Sequence, residues 1–160
     1  MANLDLSDGK MKNVRAVVWR KEGDKRLFLI TQECGGGFTI PGGCKDLEDK
    51  DLEGALEREL CEELGLAPKD YLMSRIDWEK EYEDLYRNPK SERYQKNTII
   101  YPFLVHMKGR VPLILPPDEI RGAIWLEEQD ARRVLRDIPH MKEIFEIGLK
   151  ALENQEIFSL

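Results

Sequence analysis

The chain has 160 residues, of which 41% are hydrophobic and 35% are charged, and its formal net charge is −6. This length is typical of one domain with a single core, and the hydrophobic fraction is too high for a disordered chain. The acidic balance excludes general nucleic-acid coating, because the phosphate backbone binds basic surfaces. The excess acids are therefore either solvated or collected around cations.

Two other classes are excluded by composition. No stretch approaches the roughly 18 apolar residues of a transmembrane helix, so we expect no membrane segment. The three cysteines, Cys34, Cys44 and Cys61, form no CxxC pair, so neither a disulfide scaffold nor a zinc site is predicted. A reducing cytoplasm is the expected location.

The N-terminal part of the chain predicts an arm followed by strands. Residues 1–12 are polar and are expected to form a flexible arm before a single domain over residues 13–160. Val14–Arg20 and Arg26–Gln32 flank a KEGDK turn and predict a β-hairpin. Phe38–Ile40 predicts a short strand between two glycine-rich turns.

Asp51–Leu64 predicts the clearest helix of the chain. Asp51 is a suitable N-cap, and Gly65 lies where a helix C-terminus favours a left-handed residue. Leucines recur every fourth residue from Leu52 to Leu64 and form one apolar stripe. This stripe should pack on the core.

The C-terminal half alternates strand and helix signals. Residues 87–96 form a polar, locally basic loop, and Pro102 indicates an edge or a bulge in the strand that contains it. The predicted elements are strands near Met73–Trp78 and over Asn97–Met107, Val111–Leu115 and Gly122–Leu126, and helices over Glu127–Asp137 and Met141–Leu152. One domain with this composition belongs to the α/β (α+β) class.

Three carboxylates lie close together on the Asp51–Leu64 helix. Glu59 and Glu63 are one turn apart with Glu62 beside them, within an arc of about 100°, and the first two border the leucine stripe. Their repulsion, raised by partial burial, would be relieved by a divalent cation such as Mg²⁺, which prefers carboxylate oxygens. The alternative is a solvated acidic face on which Arg58 pairs with Glu62.

A glycine-rich turn precedes this helix. Pro41-Gly42-Gly43 follows the short strand predicted at Phe38–Ile40. Glycine lets the backbone approach an ion or a phosphate closely, although such a turn by itself is ordinary. The combination of strand, glycine turn, loop and acidic helix is much more specific than either part.

The segment Gly43–Leu66 resembles the Nudix box, G-x5-E-x7-R-E-U-x-E-E-x-G-U, in which U is aliphatic. Arg58–Leu66 (RELCEELGL) matches the second half without a gap. The first half departs, because the pattern's glutamate falls on Lys50 and its glycine on Cys44. If Gly43 is the pattern's glycine, the loop has one extra residue, and Glu48 or Asp49 takes the place of the missing acid.

This resemblance implies an α/β/α sandwich with a mixed β-sheet. It also implies metal-dependent hydrolysis of a nucleoside diphosphate linked to another moiety, with Mg²⁺ or Mn²⁺ as cofactor. The implied metal ligands are Glu59, Glu62, Glu63 and the Gly43 carbonyl, with Arg58 orienting Glu59. The catalytic candidates are Glu59, Glu62 and Glu119, and the general base is either Glu59 or Glu119, which lies six residues before Trp125.

The residues give few indications of the substrate. Tyr82 lies sixteen residues after Leu66, as in family members that act on dinucleoside polyphosphates, although tyrosines are frequent in the segment WEKEYEDLY and a chance match is the alternative. Arg87 and Lys96, in the basic loop, could bind additional phosphates, a sugar phosphate or an RNA 5′ end, and a solvated loop is the alternative. His106 and His140 have no identifiable partner and are expected to be structural.

Two other functions stay open at this point. A Nudix-fold module could sense a nucleotide without hydrolysing it, although the retained acids argue against loss of catalysis. An isomerase-like relative acting on an isoprenoid diphosphate would need a cysteine and a glutamate whose motifs are not visible. We expect a small-molecule nucleotide derivative as partner and no membrane, and we leave a homodimer open.

Overall fold

A computed structural model describes residues 3–83, 85–86, 89–94 and 96–158. The described strands are β1 (Met11–Glu22), β2 (Lys25–Glu33), β3 (Phe38–Thr39), β4 (Gly42–Cys44), β5 (Tyr71–Arg75), β6 (Lys80–Tyr82), β7 (Thr98–Met107) and β8 (Ile120–Glu127). The described helices are α1 (Leu52–Leu64), α2 (Glu128–Leu135) and α3 (Pro139–Phe158), with a 3₁₀ turn at Pro68–Asp70. No described helix combines the length and apolar character needed to cross a lipid bilayer.

The strands form one mixed sheet in the order β3-β2-β1-β7-β5, to which β8 adds on β2, β4 on β1 and β6 on β7. The strands β1 and β7 run parallel, and the other pairs are antiparallel. The predicted hairpin of β1 and β2 is confirmed, with Trp19 opposite Phe28. Strand β2 pairs with the end of β1, and β4 pairs with the beginning of β1 along the same edge. The segment Pro41-Gly42-Gly43, called the glycine turn below, therefore lies at this edge of β1.

Strand β1 is buried on both faces, which explains its nearly continuous apolar sequence. Because alternate residues face opposite sides, Val14 and Val18 pack in the core beneath α1, whereas Val17 and Trp19 pack in the core beneath α2 and α3. The fold is therefore an α/β/α sandwich around a mixed sheet, as the resemblance implied.

Helix α1 forms as its sequence predicts. The Asp51 carboxylate accepts a hydrogen bond of 2.7 Å from the amide of Gly54, and Gly65 ends the helix at φ 69°. Leu56, Leu60 and Leu64 are fully buried against the sheet. This packing fixes the rotation of the helix, and with it the direction of every carboxylate on its surface.

The N-terminal segment is more ordered than the expected arm over residues 1–12. Met11 and Lys12 already belong to β1, and Met11 is fully buried. Asp5 is also buried and forms an ion pair of 2.8 Å with Lys45, which follows β4. The polar composition of this segment predicts a flexible arm. The residues that order it, such as Lys45, are distant in the sequence, so composition does not reveal them.

Two strand predictions require correction. Residues 111–115 form no strand; alternate side chains pack on the α1 core, and the amide of Ile114 donates to Leu64 O at 2.9 Å. Pro102 lies inside the central strand β7 rather than at an edge or a bulge. Strand β5 pairs with β7 only as far as Phe103, and β6 pairs with β7 only from Ile100 onward. Pro102 is tolerated because it lies in the gap between these two pairings.

Candidate active site

The glycine turn brings the backbone of β4 against the carboxylates of α1. A Cβ atom at Gly43 would lie 2.7 Å from Glu59 Oε2 and closer still to Glu59 Oε1 and Cδ. A Cβ atom at Gly42, whose φ is 153°, would overlap the carbonyl oxygen of Val14. Both positions therefore require glycine, for the approach of a carboxylate and for the backbone pairing with β1.

Glu59 and Glu63 are held in a largely buried place beside this turn. The Glu59 side chain is 13% exposed, and Glu63 Oε2 accepts a long hydrogen bond of 3.4 Å from the amide of Gly42. Burial raises the pKa of Glu59, an effect that Arg58 opposes. Burial raises the pKa of Glu63 to about 8, with Arg15 opposing and Glu59 adding to the rise. Two carboxylates are thus buried together without full neutralisation.

Arg58, one residue before Glu59, is surrounded by oxygen acceptors. Its Nη2 donates to Asp49 Oδ2 and to the carbonyl of Cys44, both at 2.9 Å. Its Nη1 donates to Glu59 Oε1 and Glu62 Oε2, both at 3.2 Å. These contacts, Asp49 foremost, raise the Arg58 pKa. Arg58 therefore holds Glu59 while its own charge is satisfied by other groups.

Of the two acids that could replace the pattern's glutamate, Asp49 is the one that contacts Arg58. Burial is the largest influence on the Asp49 pKa and would raise it, but the hydrogen bonds from Arg58 and from the Asp46 amide, together with the nearby positive charges, lower the pKa overall. Glu48 instead accepts a hydrogen bond of 3.2 Å from Asn3 at an exposed position. The loop therefore places an acid beside Arg58, one residue before Lys50, the position on which the glutamate of the box pattern falls in this chain.

Among the described residues, no group of three or more His, Cys, Asp or Glu side chains is arranged to hold a metal ion. The pair Glu59 and Glu63 nevertheless fits a divalent cation, because both are largely buried oxygen ligands whose charges Arg58 and Arg15 offset only in part. Glu62, the third predicted ligand, lies on the solvent side of α1, with 54% of its side chain exposed.

A cavity of about 320 Å³ lies beside Arg15 of β1 and Thr39 of β3. Polar, aromatic and apolar side chains from distant segments line it, among them Asn13, Arg15, Phe38, Tyr86, His140 and Met141. No local pattern predicts that these residues come together, and His140 was expected to be only structural. The one available signal was Arg15, a charged residue inside the apolar strand VRAVVWR.

The predicted substrate residues lie at different distances from this cavity. The Tyr82 ring meets His140 edge to face, with centroids 6.1 Å apart, so Tyr82 lies behind the cavity wall. The described lining does not include Lys96, whose amide donates to Arg93 O at 3.2 Å. Arg87 lies outside the described residues.

Glu119 lies in the turn before β8 and is exposed. Its carbonyl accepts a hydrogen bond of 2.9 Å from the amide of Cys34, so this turn docks on the loop after β2. Glu33, at the end of β2, and Gly37, in that loop, belong to the cavity lining. The structure therefore brings the backbone of Glu119 to the loop that borders the cavity.

Comparison with known proteins extends over nearly the whole fold. The sequence model of the NUDIX domain matches residues 9–146. No curated protein shows significant sequence similarity to the chain. The C. elegans Ap4A hydrolase in a binary complex is 20% identical, with a TM-score of 0.73, over 90% of this chain and 98% of that one.

Two other solved structures are similarly related. The E. coli dihydroneopterin triphosphate pyrophosphohydrolase is 12% identical, with a TM-score of 0.69, over 91% of this chain and 96% of that one. The NUDIX domain of Shewanella oneidensis NrtR, complexed with ADP ribose, is 16% identical, with a TM-score of 0.66, over 90% and 89%. At these identities the solved structures establish a shared fold.

Proposed function

Because the chain belongs to the NUDIX domain family of pyrophosphate-cleaving hydrolases, we propose that it hydrolyses a nucleoside diphosphate linked to another moiety, with Mg²⁺ or Mn²⁺ bound at α1. The family match also confirms the resemblance of the Gly43–Leu66 segment. The observation that carries the proposal is the burial of Glu59 and Glu63 against the glycine turn. Acids that served only solubility would lie on the solvent face of the helix.

The proposed ligands are Glu59 and Glu63, joined by the Gly43 carbonyl and by Glu62 from the solvent side. When bound there, the cation would neutralise phosphate charge and lower the pKa of a bound water. Arg58 keeps Glu59 at the glycine turn, because Asp49 and the Cys44 carbonyl fix its guanidinium. Water then attacks phosphorus and the pyrophosphate bond breaks.

The proposed general base is Glu119, with Glu59 as the alternative, and Glu62 is the third candidate. Glu119 belongs to a turn that contacts the loop bordering the cavity, and its exposed side chain is free of the burial that affects Glu59. If Glu119 is the base, Glu119→Gln should lower kcat by about 10²- to 10⁴-fold while Mn²⁺ affinity is unchanged. The matched control is Asp118→Asn, and equal kcat values for both variants would assign the base to α1.

We propose that the cavity beside the glycine turn receives the nucleoside end of the substrate. It combines aromatic, aliphatic and polar side chains, as nucleotide sites do, and its lining includes Arg15, which lies opposite Gly42 in the pairing of β1 and β4. Tyr82, Arg87 and Lys96 remain candidates for contacts beyond it, and dinucleoside polyphosphates are one proposed substrate class. All three cysteines are free, which supports the proposed reducing, cytoplasmic location.

The experiment that tests this proposal is a panel of nucleoside diphosphate derivatives, incubated with Mg²⁺, Mn²⁺ or EDTA and analysed by product chromatography. Dinucleoside polyphosphates, nucleotide sugars, deoxynucleoside triphosphates and triphosphorylated RNA belong in the panel. We expect cleavage at a pyrophosphate bond only with metal. Tight binding of a compound without any turnover would contradict the proposal and support a nucleotide-sensing module instead.

A further inference from the structure

Arg15 is a charged side chain in the interior of the sheet. It is only 8% exposed and lies in β1, between residues that pack on both cores. Its Nε donates to Asn13 Oδ1 at 2.8 Å, and its Nη1 donates to Ile40 O at 2.8 Å and to Thr39 Oγ1 at 3.3 Å. These neutral acceptors fix the orientation of the guanidinium without neutralising its charge.

In the part of the chain that the structure describes, the hydrogen bonds of Arg15 go only to Asn13, Thr39 and Ile40, and no carboxylate forms a direct ion pair with it. The carboxylates of Glu59 and Glu63 offset its charge at longer range, because Arg15 acts to lower the pKa of both. A buried charge without a direct ion pair is costly, so such residues commonly bind an anion. Within the same described part, Nη2 donates to no acceptor. Because Arg15 lines the cavity, Nη2 is its donor available to a ligand there.

The position of Arg15 relative to the carboxylates is fixed by strand pairing. Arg15 lies opposite Gly42 in the register of β1 and β4. The amide of Gly42 contacts Glu63, and Gly43 contacts Glu59. One cation and two acids therefore border the same two-residue turn, with the cation toward the cavity and the acids toward α1.

We propose that Arg15 binds a phosphate of the nucleotide through Nη2, on the cavity side of the glycine turn. This assignment rests on the proposed function and identifies the residue that positions the phosphate chain between the cavity and the acids of α1. Guanidinium groups form short, charge-assisted hydrogen bonds with phosphate oxygens. His140 does not compete as a cation, because burial and the nearby Arg15 lower its pKa.

The test is calorimetric binding of the four common nucleoside diphosphates and their nucleosides to the full chain in EDTA, before any turnover is measured. The wild type should bind at least one diphosphate more tightly than its nucleoside. In Arg15→Met this preference should fall by about ten- to a hundred-fold, the effect of one charge-assisted hydrogen bond, with nucleoside affinity unchanged. Arg15→Lys should retain part of the preference, because it keeps the charge.

The matched control is Arg20→Met, on the same strand. Arg20 is also partly buried, but it pairs with Glu22 and stacks on Trp125 outside the cavity. Its replacement should leave both affinities unchanged. An unchanged preference in Arg15→Met, an equal loss for diphosphate and nucleoside, an equal loss in Arg15→Lys and Arg15→Met, or no preference in the wild type would each overturn the assignment.

Turnover with metal separates this assignment from the proposed function. Arg15-dependent diphosphate binding without any hydrolysis would refute the hydrolase and keep the phosphate contact. Metal-dependent hydrolysis with the same KM in Arg15→Met and wild type would keep the hydrolase and refute the contact. If both hold, KM should rise in Arg15→Met by the same factor as the loss of diphosphate affinity.

Discussion

Two charge clusters lie within about one turn of α1 and are balanced in opposite ways. Arg58 donates to Asp49, Glu59, Glu62 and the Cys44 carbonyl, so one cation is surrounded by oxygen acceptors. Glu59 and Glu63 lie on the inner side, where burial raises both pKa values. Among the described residues, the hydrogen bond that Glu63 accepts is a long one from the Gly42 amide.

This contrast predicts a structural role for the Arg58 cluster and a binding role for the pair Glu59 and Glu63. The Arg58 cluster is internally satisfied, so its loss should affect stability and the placement of Glu59. The pair of largely buried acids is satisfied only in part among the described residues, by Arg58 at Glu59 and by the Gly42 amide at Glu63. Its loss should therefore affect metal binding and catalysis while relieving the folded state. The following variants test whether the two clusters differ in this way.

The largest effect is expected for Glu63→Gln. The amide keeps the shape of the side chain but removes a charged metal ligand, so kcat/KM should fall by about three orders of magnitude or more. Steady-state kinetics with Mg²⁺ and calorimetric titration with Mn²⁺ would measure the two losses. Glu57→Gln, at an exposed position of the same helix, is the control and should leave both unchanged. Full activity in Glu63→Gln would contradict the ligand assignment.

The same variant makes a prediction about pH in the absence of metal. Because the folded-state pKa of Glu63 is raised to about 8, the folded protein holds a proton that the unfolded chain releases near its ordinary value of 4.5. Stability in EDTA should therefore fall as pH rises between these values, and less so in Glu63→Gln. Thermal unfolding from pH 5 to 8 measures this, and parallel curves for the two proteins would contradict it.

A smaller effect is expected for Gly43→Ala. The new methyl group would collide with the Glu59 carboxylate, so the acid must leave the glycine turn. We expect a cost of about 1 to 3 kcal/mol in the free energy of unfolding, from overpacking, and a fall in kcat/KM of about a hundred-fold. Gly122→Ala, where nothing lies within 4 Å of the new atom, is the control. Equal behaviour of the two variants would show that Glu59 is not confined there.

Asp49→Asn tests the support cluster. It replaces the charged acceptor of Arg58 and should cost about 1.5 to 3 kcal/mol in the free energy of unfolding, as expected for a hydrogen bond between charged groups. Glu48→Gln is the matched control, because the adjacent acid is exposed and, within the described residues, its hydrogen bond goes to Asn3. Urea unfolding compares them, and a larger cost for Glu48→Gln would reverse the assignment of the displaced acid.

The smallest effect is expected for Glu62→Gln. Its side chain is 54% exposed and its ion pair with Arg58 is an i,i+4 surface pair, so the free energy of unfolding should change by less than about 0.5 kcal/mol. Mn²⁺ affinity should fall less than in Glu63→Gln, and calorimetry measures both. An equal or larger loss would make Glu62 a principal ligand and place the metal farther toward solvent.

The elements with local signals were predictable from the sequence. Helix α1 was predicted with both ends because a cap at Asp51, leucines four residues apart and Gly65 all act within a few residues of one another. The prediction of a strand at residues 111–115 was wrong, because the signal that decides a strand there is not local. The alternating apolar pattern of these residues is satisfied by packing on the α1 core, and whether a strand neighbour exists there depends on distant parts of the chain.

Local spacing predicts the acidic motif, because residues three and four apart share one face of a helix. The glycine turn before that helix and the fold class can also be inferred from the sequence. The packing of distant segments, in contrast, makes Glu63 largely buried while Glu62 faces solvent, and it brings Asp49 rather than Glu48 to Arg58. The same packing directs Arg15 toward a cavity shared with the first turn of α3. Burial and ion pairing arise between segments far apart in the chain, and local spacing carries no information about them.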